Sequence, residues 1–303
     1  MINNRSLKYS LIMFLAGGCY GFVVPMVRTA QSAGFVTGEI MVTQYILSAA
    51  TLGVVCLLFS RRKVGLKDSL KLLGVGVTAA CVSFCYYQSL ALLSPATSLT
   101  LLFQFVWMGM VVQAVRTRTW PRPVAVFTAL FVVFGAVLAT GLFDEGVSAE
   151  GLDPLGVIFG LLSAAFYTGF IVLTSRVATS LPAVNRSLFS ALGSLIVSFA
   201  IMPTYFARPL IALDPLLSMA LGMVGICLPI FLIAVSSPKL PTSLATVMAS
   251  SELPSGVICA AIFLGEPVSF SVGLGVVIIL AGIVVSELES LRHNARKSKN
   301  GAS

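Results

Sequence analysis

The chain has 303 residues, a mean hydropathy of +1.00, 57% hydrophobic residues and 10% charged ones. A soluble domain needs about a quarter charged residues to cover its surface, so a water-soluble globular fold is excluded and lipid is the solvent for most of the outside. The net charge of +8 does not mark a nucleic-acid binder, because the basic residues fall in short clusters between apolar runs rather than along one helix face.

A helix crossing the hydrocarbon core needs about 20 mainly apolar residues. Runs of this kind predict spans near 8–29, 38–59, 69–92, 96–115, 122–142, 154–175, 186–206, 212–234, 241–264 and 269–288. The first follows Arg5 and Lys8 but is too long for a signal-peptide core and has no convincing small-residue cleavage site, so it is expected to be retained. The breaks carry charge or turn residues: Arg61-Arg62-Lys63, Ser94-Pro95, Arg116 to Pro123, Asp144 to Pro154, Arg208-Pro209, Ser237-Pro238 and Gly265-Glu266-Pro267. With a cytoplasmic N-terminus, all of the 19 Lys and Arg residues except Arg28 and Arg208 fall on the cytoplasmic side. That bias favours ten spans and places both termini inside.

Three segments recur in order at nearly one spacing. Ala16-Gly17-Gly18-Cys19-Tyr20 resembles Ser163-Ala164-Ala165-Phe166-Tyr167 at 147, Ala96-Thr97-Ser98-Leu99 resembles Pro241-Thr242-Ser243-Leu244 at 145, and Phe134-Gly135-Ala136-Val137 resembles Ala281-Gly282-Ile283-Val284 at 147. The expected fold is therefore all-α and membrane-embedded, with ten helices as two five-helix repeats. Because five is odd, the second repeat is inverted, an arrangement that places a site at the midplane between the halves. The expected division is a first repeat over 1–142, an external loop over 143–153, a second repeat over 154–288 and a basic cytoplasmic tail over 289–303.

Leu264-Gly265-Glu266-Pro267, followed by Gly273-x-Gly275 and Leu280-Ala281-Gly282-Ile283, resembles the drug/metabolite transporter superfamily and, within it, the EamA-type ten-helix permeases. The resemblance implies a basket-like bundle around a central cavity that exports amino acids or other metabolites. Two positions depart from the family pattern. The first-half connector carries Arg116 and Arg118 where many relatives keep a Glu, and the second span has Gln44-Tyr45 where relatives often place an Arg.

Glu252 is the most informative single residue, because a charge near mid-span costs at least ~3 kcal/mol. Pro254 lacks an N–H and frees the carbonyl of Ser250, so Ser250, Ser251 and Glu252 predict a polar site that contacts substrate or exchanges a proton. The alternative is a neutral carboxyl hydrogen-bonded between helices. Gln104, Trp107 and Phe103 in the fourth span, and Tyr86, Tyr87 and Gln88 in the third, are further cavity candidates, each with an ordinary packing alternative. Of the last three, at most two can face one cavity. Pro25, Pro229 and Pro254 are hinge candidates, although packing kinks explain Pro25 and Pro229 as well. Gly17-x-x-x-Gly21 and Gly156-x-x-x-Gly160 read as close-packing surfaces, and Glu266-Pro267 as a helix start.

The expected function is secondary transport, outward, of a small polar metabolite such as an amino acid by alternating access. The alternatives are export of drugs or other organic cations and, from another class, a membrane-embedded transferase or scaffold. Neither catalysis nor a cofactor is expected: there is no phosphate-binding glycine loop, and the lone His293 lies in the tail. Cys81 and Cys85 share a helix face without a third ligand, so no metal is expected either. The partners are a small-molecule substrate, the lipid bilayer and protons, with the oligomeric state left open. In a bacterial cell the membrane concerned is the inner one.

Overall fold

The structure is a computed structural model that describes residues 4–60, 62–93, 95–121, 123–139, 153–205, 214–259, 261–262 and 268–300. The Leu264-Gly265-Glu266-Pro267 motif, most of the expected external loop, and Arg61, Ser94, Arg122 and Arg208 lie outside the described residues. Every regular element among the described residues is helical. Among the described residues, eight helical stretches are long and apolar enough to cross a membrane, and Pro123–Ala139 is a shorter apolar helix.

The first stretch is α1 (Asn4–Gly21) and α2 (Val23–Ser32), divided at Phe22. The division follows from Pro25, which cannot return a hydrogen bond to Gly21. Then come α3 (Thr37–Phe59), α4 (Leu66–Leu92), α5 (Pro95–Leu102), α6 (Phe105–Thr117) and α7 (Pro123–Ala139). The second half holds α8 (Pro154–Thr174), α9 (Ala183–Ile201), α10 (Pro215–Met219), a wide π-helical turn over Ala220–Cys227 and α11 (Leu228–Ser236). It closes with α12 (Thr242–Ala249), α13 (Glu252–Cys259) and α14 (Phe270–Asn300). Local chemistry sets several starts. The Asp153 carboxylate accepts the N–H groups of Leu155 at 2.8 Å and Gly156 at 3.4 Å, and Asp214 accepts that of Leu217 at 3.0 Å. Each carboxylate precedes a proline at the first helical position, where no N–H is required.

The fourth and ninth expected spans are not continuous. The first of them breaks at Phe103-Gln104 and the second at Ser250-Ser251, positions that differ by the spacing of 147 seen in the sequence repeats. Contacts follow the same exchange of halves. The pair α4 with α8 answers to α11 with α1, the pair α5 and α6 with α8 answers to α12 and α13 with α1, and α3 with α9 and α7 with α14 are self-paired. Of the ten expected spans, eight correspond to long stretches among the described residues, the fifth to the short helix α7, and the ninth to the broken pair α12 and α13.

Close crossings depend on missing side chains. A Cβ on Gly76 would meet Ser194 N at 2.8 Å and Gly193 Cα at 2.9 Å, so α4 and α9 approach backbone to backbone. Leu57, Phe59, Leu216 and Phe270 are exposed on the outside, the arrangement of a fold whose outer solvent is lipid. One charge departs from its expected exposure. Arg186, the first residue of the expected span 186–206, is buried in the first turn of α9 rather than exposed at its end.

Candidate substrate cavity

The break at Ser250-Ser251 positions the central charge. Pro254 offers no N–H to Ser250, and the Ser250 carbonyl instead accepts from Leu253 N at 3.3 Å in a tight turn. The expected freed carbonyl is thus taken up locally. The turn starts α13 at Glu252, which is buried and lines a cavity of about 50 Å³. Helix α1 packs against this turn. A Cβ on Gly21 would meet Gly256 N at 2.5 Å and Glu252 O at 2.6 Å, so only glycine permits this approach. Ser251 Oγ donates to Phe14 O at 2.6 Å and ties the turn to α1.

Five of the seven tyrosines face this cavity: Tyr20, Tyr45, Tyr86, Tyr87 and Tyr167. Tyr45 Oη lies 2.9 Å from Ser83 Oγ and donates to Ala79 O at 3.2 Å, while Tyr87 donates to Gln44 Oε1 at 3.0 Å. Tyr20 and Tyr167 meet edge to face with ring centroids 5.9 Å apart. Three polar atoms remain buried without a partner, namely Glu252 Oε2, Tyr86 Oη and Tyr167 Oη. Buried polar groups are almost always satisfied within the protein or by something bound. A carboxylate and two hydroxyls around one small void can therefore accept an ammonium, order water or exchange a proton.

The expected site residues divide. Glu252, Tyr86 and Tyr87 line the cavity together. Ser250 Oγ donates to Val247 O at 2.5 Å, and with Ser251 it is engaged by backbone rather than by the cavity. Phe103 is buried against Phe105, with ring centroids 5.6 Å apart. Gln104 Nε2 donates to Thr100 O at 3.1 Å and its Oε1 accepts Trp107 Nε1 at 2.8 Å, while the Trp107 ring is 38% exposed on the outside. Gln88 accepts Thr37 Oγ1 at 3.3 Å, away from the lining. Pro25 sits just beyond the division of the first stretch, Pro229 at the start of α11 beside the wide turn, and Pro254 just beyond the third break.

Sequence reasoning missed Tyr20, Tyr45, Tyr167 and Ser83 as lining residues. The signal for two of them was present: Tyr20 and Tyr167 are the matched tyrosines of the first repeat pair. Tyr45 belongs to the Gln44-Tyr45 pair that departs from the family pattern. The same spacing of 147 makes Phe105 the counterpart of Glu252. Phe105 packs on Tyr167 with centroids 4.7 Å apart, behind the cavity lining, whereas Glu252 stands in the lining itself.

Together these features define a multi-pass helical membrane protein that encloses a small polar site between two similarly paired halves. Residues 154–288 match the EamA-like transporter family. The family consists of membrane transporters of small molecules, consistent with the drug/metabolite transporter superfamily. A solved crystal structure, described only as that of a protein, has the same fold. It covers 94% of this chain and 98% of its own with a TM-score of 0.79, at 16% sequence identity. No curated protein matches the chain.

Proposed function

We propose that the protein is a secondary transporter that exports a small polar metabolite bearing an amino group, such as an amino acid. Substrate binds between the halves and reaches either side of the membrane by alternating access. The observation that carries this reading is the buried Glu252 carboxylate, with an unpartnered oxygen, beside the unpartnered hydroxyls of Tyr86 and Tyr167. An uncompensated carboxylate in a bilayer is costly unless a cation or a proton meets it. A substrate ammonium supplies the first and a coupling proton the second. The cavity of about 50 Å³ holds only a few waters, whereas small-molecule pockets run to several hundred Å³. In this reading the structure is the closed member of the cycle, and the breaks next to Pro25 and Pro254 and the wide turn beside Pro229 are where it opens.

The test is efflux from cells loaded with a labelled amino-acid mixture. Expression of the wild type is expected to accelerate loss of one compound or a few, and Glu252→Gln to reduce that flux at least tenfold without lowering the amount of protein in the membrane. Normal transport by the variant would remove Glu252 from the mechanism. A second reading, export of organic cations, is favoured by the five tyrosine rings, since aromatic faces attract cations that cannot donate hydrogen bonds. Tetramethylammonium competes with the labelled substrate under that reading and is inert under the first.

A further inference from the structure

We propose that Arg186, Thr174 and Ser190 form a binding site for one small inorganic anion of chloride's size, where α8 ends and α9 begins. Arg186 is 4% exposed, and no carboxylate pairs with it among the described residues. Its Nη1 donates to Ala234 O at 2.9 Å and its Nη2 to Thr174 O, which ties the ends of α8 and α11 to α9. Its Nε–H is buried without a partner. Thr174 Oγ1 and Ser190 Oγ are also buried without partners, and all three residues line one cavity of about 10 Å³ walled by Leu72, Val75 and Phe170. This cavity is separate from that of Glu252, although Phe170 lines both.

Three arguments select an anion over a water or a purely structural arginine. A buried cation is costly without an opposite charge, and two carbonyl dipoles compensate only part of it. The first turn of a helix repels a cation through the helix dipole and favours an anion, and Arg186 lies in the first turn of the 19-residue α9. A single water is the most this space holds as it stands and brings no charge, whereas a halide, only slightly larger, accepts hydrogen bonds from all three donors once the side chains move apart by a few tenths of an ångström. The flanking segments favour anions as well, since Arg62, Lys63, Lys67, Lys71 and Arg176 stand there against a single acid, Asp68. A carboxylate is too large for the cavity in this conformation. The site does not depend on which molecule is transported.

The test uses the purified full-length protein in detergent, with chloride replaced by gluconate at constant ionic strength. The melting temperature of the wild type is expected to rise saturably with chloride and with bromide. Arg186→Gln is expected to abolish the dependence. Ser190→Ala leaves both carbonyl bonds of Arg186 in place and is expected to weaken the apparent chloride affinity at least threefold. Glu252→Gln is expected to keep it. If Arg186→Gln does not fold, Ser190→Ala and Thr174→Val decide the question. A wild type indifferent to chloride overturns the proposal, as does a response to acetate alone. So does a chloride response that both hydroxyl variants retain unchanged.

Discussion

Two tyrosines on the same cavity should respond oppositely to loss of their hydroxyls. Tyr45→Phe removes bonds to Ser83 and to the Ala79 carbonyl and is expected to cost about 1 kcal/mol of stability. Tyr167→Phe removes a hydroxyl that has no partner and is expected to leave stability unchanged or raised by up to about 1 kcal/mol, while substrate affinity falls. Thermal melts of both variants, read beside their efflux rates, check the pair. Equal destabilisation would mean that the Tyr167 hydroxyl has a partner after all. At this scale Glu252 was legible because a charge stands out within an apolar run. The tyrosines were not, since an aromatic ring in a membrane helix packs against lipid, core or cavity with the same sequence signature. Ser250 and Ser251 were placed in the right turn, but local backbone takes up their hydroxyls.

Among the elements, the α1 contact with the α12–α13 turn carries the site. Gly21→Ala drives a methyl into two backbone atoms of α13, neither of which is a flexible side-chain end. Overpacking of this kind costs about 1–3 kcal/mol. The expected outcome is a lower melting temperature together with lost transport, because the strain falls on the peptide of Glu252. Gly74→Ala in α4 meets nothing within 4 Å and serves as the control, expected not to destabilise. A tolerated Gly21→Ala would mean that α1 does not position the turn. Most helix lengths were readable from hydropathy, but α14 runs on to Asn300 through the expected tail, and the breaks at 103–104 and 250–251 were not readable. Apolar character runs straight through both, and only Pro254 gave local notice of one. The burial of Arg186 was not legible for a related reason. It stands at a span boundary, where sequence alone cannot separate a loop cation from one folded back under helix ends.

For the whole molecule, the duplicated pattern was the most informative signal in the sequence, since the spacing of 147 is kept by the helix breaks and by the Tyr20–Tyr167 contact. In a background without native cysteines, Ser32→Cys at the end of α2 is expected to react with an impermeant thiol reagent only from outside. Trp120→Cys, beyond α6, is expected to react only from the cytoplasm. Both side chains are exposed, so reaction of both from one side would refute the orientation read from the charges. The inequality between Phe105 and Glu252 has a further consequence. A molecule with two identical halves would hold its inward and outward forms at equal free energy. Under the proposed alternating access, a ring in one half and a carboxylate in the other would make the two forms differ, and the resting protein would favour one of them. Such a preference would govern how long the protein waits on each side for its cargo. It does no work, and net flow reverses when the concentration gradients that drive it are reversed.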